Sequence, residues 1–400
     1  MNLDELYKAR YVLNSIIRRT DLVQAPCLNP EADIYLKPEN LQVTGSFKVR
    51  GACYKISQLS KEEKERGVIA CSAGNHAQGV ALGASHAGVK SLICLPEGAP
   101  ISKVEATRRF GADICLVPGV YDDAFQHALK LRDEHGYAFV HPFNDEHVIA
   151  GQGTIGLELL EQLPDVQSVI VPIGGGGLAS GIAFAIKSLN PAVEVWGVQA
   201  AGAPGMYQSM ADGHIQCLPN VCTVADGIAV KQPGDLTYEM CRKYLDGIVT
   251  VTEDEICAAI LAIIEQQKMV VEGAGAVAVA AAMFNKVPIQ GKKTICLLSG
   301  GNVDVTILNR VIHRGLVKSG RICKLTVKLE DKPGHLVGVS QIISSLGGNV
   351  VKVNHERNDD SDRITDCILQ LRVETRNHEH IDTICNALAD AGFDVTCQIH

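Results

Sequence analysis

The stretch "NLQVTGSFKVRGA", residues 40–52, places Lys48 between Phe47 and Val49, with Gly45, Ser46, Gly51 and Ala52 close by. Apolar and small neighbours can desolvate an amine, and desolvation lowers its pKa toward the range in which it attacks carbonyl carbon. A second stretch, "SVIVPIGGGGLASG" from Ser168, sets Gly174, Gly175, Gly176, Gly177 and Leu178 between a strand-like run and a helix-like run. Glycine allows close backbone approach, and a helix start offers N–H groups and positive partial charge, so the run reads as a phosphate cradle. A plain tight turn is the competing reading.

The glycine run also fits the permissive dinucleotide pattern through Gly174, Gly176 and Ala179. However, "VEVWGVQA" ends in Gln199 and Ala200, where a ribose-binding acid would stand, and no G-x-x-x-x-G-K-[ST] occurs. A smaller phosphorylated cofactor remains. In "CSAGNHAQG", Ser72, Gly74 and Asn75 offer hydroxyl, N–H and amide groups at a helix start, suited to a carboxylate. "LLSGGNVD" is a third such loop, with Ser299 ending a strand, and "VEGAGAVAVAAA" opens a helix at Glu272. A lysine that can be desolvated, together with a phosphate cradle, suggests pyridoxal 5'-phosphate, whose aldehyde forms a Schiff base with an amine.

Parallel sheets must position these loops. "VIACS" at 68, "SLICLP" at 91, "ADICLV" at 112, "SVIVPI" at 168, "VEVWGVQ" at 193 and "TICLLSG" at 294 are short apolar runs separated by helical spacing. Continuous apolar strands alternating with helices imply sheets covered on both faces. The runs cluster at 68–117 and 168–298, so two α/β domains facing a cleft are expected, with the site at the carboxyl ends of the strands. After a break near Val317–Arg321 the pattern changes. "CKLTVKLED" alternates, with Leu325, Val327 and Leu329 on one face. Leu336, Val339, Ile342, Ile343 and Leu346 share a helical face that Gly347–Gly348 ends. "NVVKVNHER", "DCILQLRVET", a helix carrying Ile381, Ile384, Cys385 and Leu388, and "DVTCQI" follow. The order β-α-β-β-α-β is ferredoxin-like.

Composition excludes other classes. The net charge of -8 leaves no basic stripe for nucleic acid or an anionic membrane surface. No apolar run is long enough to span a bilayer, and the first 19 residues read as an amphipathic helix rather than a leader. The 14 cysteines form no C-x-x-C pair and several sit in apolar runs, as expected of reduced thiols in the cytoplasm. The 13 histidines lack ligand spacing, "HEH" at His378–His380 included, so no metal is expected.

"PENLQVTGSFKVRGA", "SAGNHAQGVA", "IGGGGLASG", "ADGIAV", "EGAGAVA" and "LLSGGN" together resemble the fold-type II pyridoxal-phosphate enzymes, and in order and wording they are similar to the threonine dehydratases (threonine ammonia-lyases). The likeness runs from about residue 3 to 315, and the C-terminal unit resembles an ACT domain. The resemblance implies a large cofactor-binding domain of residues 1–50 and 144–318, a small domain of 51–143 and a regulatory ACT-like domain of 321–400. It implies that Lys48 is the Schiff-base lysine and the base at Cα. Gly174, Gly175, Gly176, Gly177 and Leu178 then hold the phosphate, Asn75 the cofactor's 3'-oxygen, Phe47 the ring and Ser299 the pyridine nitrogen. Ser72, Ala73, Gly74 and Asn75 hold the substrate carboxylate. The activity implied is deamination of L-threonine to 2-oxobutanoate and ammonia, with L-serine also accepted, in a homodimer or homotetramer.

Two departures bear on this expectation. The related serine racemases carry "SSGNH"; here Ala73 replaces the second serine and cannot donate a proton, so racemisation should be weak. Those relatives also use an acid as a divalent-metal ligand where this chain has Gln199. Racemisation, β-replacement and a non-catalytic amino-acid sensor are the alternatives. An amino-acid effector is expected near the "DKPGHL" turn, Asp331–Leu336, whose glycine precedes a helix start.

Overall fold

The computed structural model describes residues 1–356 and 366–398. Arg357 of the "NHER" stretch and Ile399 lie outside the described residues. The chain divides into two compact units, Met1–Asp304 and Val305–His400.

The first unit contains strands β1 (Val23–Gln24), β2 (Asp33–Pro38), β3 (Val68–Cys71), β4 (Ser91–Pro96), β5 (Asp113–Val117), β6 (Ala138–Phe139), β7 (Ser168–Pro172), β8 (Glu194–Ala200), β9 (Gly247–Val251) and β10 (Lys293–Leu298). They form two sheets, ordered β1-β2-β10-β7-β8-β9 and β5-β4-β3-β6. Every pairing is parallel except β1 with β2. Each residue of β3 and β7 is buried, which is why their sequences read as unbroken apolar runs. All six runs singled out in the sequence are strands. β1, β2, β6 and β9 were not among them: β1 and β6 are two residues long, β2 carries Lys37 and Pro38 in its run, and β9 is only partly buried.

The sheets place the chemical loops at one kind of address. The glycine run follows β7, Ser72–Gly74 follows β3, Ser299 follows β10, and the segment leading to Lys48 follows β2. These are the carboxyl ends of parallel strands, where helix starts converge. An isolated bridge from Ser46 to Gly300 and a bond from Phe47 N to Ser299 O (3.1 Å) pin the Lys48 segment to the loop after β10.

The second unit contains β11 (Ile322–Glu330), β12 (Asn349–Glu356), β13 (Asp366–Glu374) and β14 (Asp394–Gln398), with helices His335–Ser345 and His378–Asp390 in the order β-α-β-β-α-β. The sheet order is β12-β13-β11-β14 and all pairings are antiparallel. Leu325, Val327, Leu369, Leu371, Val339, Ile343, Ile384 and Leu388 build its core. Leu336 departs from the expected helical stripe: it is exposed, because it lies in the first turn, before the helix lies over the sheet. The unit begins with the helix Val305–Lys318, ahead of the break the sequence suggested near Val317–Arg321. That helix buries Val311 and Gly315, and a tight turn with Arg321 N bonded to Leu316 O (2.8 Å) joins it to β11.

Candidate active site

Lys48 is the first residue of the helix Lys48–Ser57. Its Nζ donates to Pro142 O at 3.0 Å, the one hydrogen bond it makes among the described residues, and lies 5.3 Å from the centre of the Phe47 ring. Part of the side chain meets solvent, yet protein surrounds the amine closely enough that burial lowers its pKa to about 8, against a smaller opposing pull from Glu272. Among the described residues no carboxylate within hydrogen-bonding reach fixes it as a cation.

The carbonyl that holds Lys48 belongs to a loop that also packs on the glycine run. A Cβ on Gly177 would stand 2.7 Å from Phe143 O, one on Gly175 would run into the Phe143 ring, and Gly176 has a left-handed φ of 99°. Thr237 Oγ1 donates to Gly175 O at 2.6 Å and ties that carbonyl back. The first amides of the following helix, Gly177–Leu189, have no intrahelical acceptor. A glycine backbone with its carbonyls engaged and a helix start behind it fits a phosphate group, and a neutralisable amine on the neighbouring loop fits an aldehyde.

The same loop contains His141, whose Nδ1 accepts from Phe143 N (3.2 Å) and Asn144 N (2.8 Å). Burial, and next the charge of Lys48, push its pKa down to about 4, so it accepts as a neutral ring. His76 is likewise pushed down to about 3, and its Nε2 lies 2.8 Å from Val140 O. The loop was not singled out in the sequence. Its one local signal is "HPFND", a proline and a phenylalanine just before Asp145, which caps the helix Glu146–Gln162.

Asn75 opens the helix Asn75–His86 and is held at both ends of its amide. Its Nδ2 donates to Glu272 Oε1 at 2.7 Å, and its Oδ1 accepts from Asn302 Nδ2 at 2.7 Å. Asn302 also donates to Thr44 O at 2.8 Å. The Glu272 pKa rises to about 7, chiefly through burial and then through Asp226, with the Asn75 bond opposing. Ser72, Ala73 and Gly74 are half-buried, and a Cβ on Gly74 would meet nothing within 4 Å, so this loop faces open space. Ser299 is buried at the end of β10. Lys48, Phe47, Ser299, Asn75 and Glu272 thus converge, and Phe143 connects them to Gly174–Gly177. Gln199 is buried and bonded at both ends of its amide: its Nε2 donates to Ile173 O (3.3 Å) and its Oε1 accepts from Tyr207 N (2.7 Å).

Residues 13–301 match the family model described as pyridoxal-phosphate dependent enzyme, and residues 320–391 match the ACT domain. An L-threonine ammonia-lyase of Thermotoga maritima is 48% identical over 397 residues, 99% of each chain. Among solved structures, the processed form of threonine deaminase isoform 2 from Solanum lycopersicum superposes with a TM-score of 0.74 at 37% identity, over 78% of this chain and 89% of that one. Maize serine racemase gives 0.74 at 34% identity, over 79% and 98%. The cradle, the desolvated lysine and these likenesses agree, and the chain belongs to the pyridoxal-phosphate dependent enzymes, with an ACT domain at its C-terminal end.

Proposed function

We propose that this enzyme is an L-threonine ammonia-lyase that also accepts L-serine. The observation that carries the reading is the state of Lys48: a desolvated amine with a pKa near 8, held by a single carbonyl beside the glycine cradle. Lys48 would hold the aldehyde end of pyridoxal 5'-phosphate, Gly174–Leu178 its phosphate, Asn75 its 3'-oxygen, Ser299 its ring nitrogen, and Phe47 would lie against its ring. When bound, the cofactor supplies an electron sink for charge developing at the substrate Cα. The neutral amine of Lys48 is matched in pKa to removing the Cα proton at mildly alkaline pH. Ser72–Asn75, at a helix start, would bind the substrate carboxylate. Breaking the Cα–H and Cβ–O bonds releases water, and hydrolysis of the freed enamine gives 2-oxobutanoate and ammonia.

Ala73 carries no proton for the opposite face of Cα, which favours elimination over racemisation. A hydroxyl at Ser299, rather than a carboxylate, favours expulsion of the β-hydroxyl over a long-lived carbanion. Residues 51–143 would form the small domain of the catalytic unit and 321–400 the regulatory domain, in a cytoplasmic homodimer or homotetramer. An amino acid would bind the ACT domain near Asp331–Leu336, where Gly334 (φ 97°) precedes a helix start. No helix among the described residues is long and apolar enough to cross a membrane. The test is the initial rate of 2-oxobutanoate release from L-threonine by the cofactor-loaded protein, with chiral analysis of unreacted L-serine in parallel. Rapid release with little D-serine supports the reading; D-serine as the main product overturns it.

A further inference from the structure

The second unit contains a side-chain cluster that the reaction does not use. Asp331, His355 and Cys367 bring a carboxylate oxygen, an imidazole nitrogen and a thiol sulfur within 4.8 Å of one another. Three neighbouring strands supply them at one end of the sheet: His355 from β12, Cys367 from β13 between them, and Asp331 from the residue after β11. The register explains the convergence. Leu329 pairs with Cys367 across β11 and β13, and His355 pairs with Leu369 across β12 and β13. Cys367 and Leu369 are two apart on one strand, so they share a face with His355. His355 Nε2 lies 3.1 Å from Cys367 Sγ, and that sulfur lies 3.5 Å from Leu329 O. Cys367 is buried, whereas His355 and Asp331 are exposed, so an ion could enter from solvent and meet a sulfur held in a fixed place.

We propose that Asp331, His355 and Cys367 form a site for a divalent ion of the zinc class. The donor set decides the class. Thiolate and imidazole select zinc-like ions over magnesium and calcium, which take oxygen ligands. Three protein ligands leave the fourth tetrahedral position for water or an incoming carboxylate. On binding, the Cys367 S–H bond is replaced by a sulfur–metal bond and one proton passes to solvent. No spacing rule would find this site, because its donors meet only through strand register.

The experiment titrates the full-length, cofactor-loaded protein with Co(II) after chelator treatment, recording difference spectra and proton release. A thiolate-to-cobalt band saturating at one ion per chain, displaced by Zn(II), is expected. His355→Ala and Asp331→Asn, both at exposed positions, should each weaken binding by at least about 10-fold, and Cys367→Ser should abolish the band. Circular dichroism checks the buried Cys367→Ser variant; if it does not fold, His355→Ala decides alone. No thiolate band in the parent protein, or a band of unchanged affinity in His355→Ala, overturns the proposal.

Discussion

Lys37 and Lys48 lie on either side of one loop and are withdrawn from water in opposite ways. Lys37 Nζ donates to Thr20 O (2.6 Å), Glu158 Oε2 (2.5 Å) and Gln162 Oε1 (3.3 Å), which uses all three of its donors. Arg50 completes a closed set, bonding Glu39 through Nε and Nη2 (both 2.8 Å) and Glu158 through Nη1 (2.6 Å). Two cations face two carboxylates, so the buried cluster is neutral. Burial alone would raise the Glu158 pKa, but Arg50 and Lys37 outweigh it and the net shift is downward. Lys48 has one carbonyl and no bonded carboxylate. A buried lysine with every donor filled holds structure together; one left under-bonded is free to change its bonding. Sequence context alone does not separate "YLKPE" from "SFKVR".

Replacing each lysine tests that distinction. Lys48→Ala should reduce turnover by at least about 10^4-fold, through loss of proton transfer and of the anchoring amine. Its melting temperature should not fall. Retained turnover in a folded Lys48→Ala protein would falsify the assignment. Lys37→Met should do the reverse. It leaves the buried cluster one negative charge in excess and should cost about 3–5 kcal/mol of stability in denaturant unfolding, with kcat of the folded fraction kept. If Lys37→Met instead lost activity at unchanged stability, the cluster would be part of the chemistry and the contrast would collapse.

The desolvation of Lys48 should also appear in the pH dependence of stability. The folded pKa of Lys48, about 8, lies below its usual 10.5. Between those values the unfolded chain binds the extra proton, so this group's contribution to stability rises with pH across the window and its cost is full below pH 8. Lys48→Met should therefore stabilise the cofactor-free protein most below pH 8, with the gain shrinking toward pH 10.5. Denaturant unfolding at several pH values measures it; a pH-independent gain would mean that the amine is not depressed. At pH 7.5 the neutral fraction of this amine is about 200-fold that of an ordinary lysine, so amine labelling of cofactor-free protein should favour Lys48.

The parts that were legible in the sequence show in local residue patterns. The apolar runs of β3 and β7 show through because a strand buried on both faces needs no alternation, whereas β5, buried only at Val117, shows through by its run of apolar residue types alone. The glycine run, Ser72–Asn75 and Ser299 show through because each is a short polar or small-residue break at a strand end, and Lys48 because it stands among apolar and small residues at a helix start. What stayed hidden depends on contacts between distant parts of the chain. Lys37 interrupts an apolar run and disguises β2, although Glu158 makes its burial possible. Pro142 and Phe143 matter only because their loop touches both Lys48 and the glycines. Asn302 matters only because it reaches Asn75.

That last contact gives the smallest expected effect and the finest test of what sets an under-bonded site. Asn302 donates to both Thr44 O and Asn75 Oδ1, while Glu272 accepts from Asn75 Nδ2. Together they fix which end of the Asn75 amide faces which neighbour and leave its second N–H for a ligand. Asn302→Ala removes one donor and should weaken cofactor binding by about 1 kcal/mol, or about fivefold. Asn302→Asp should do more harm, since a carboxylate cannot donate and would face two acceptor oxygens. Titrating cofactor-free protein with pyridoxal 5'-phosphate ranks the two variants. If aspartate is no worse than alanine, packing rather than donor direction orients Asn75, and the lysine site owes its order to shape alone.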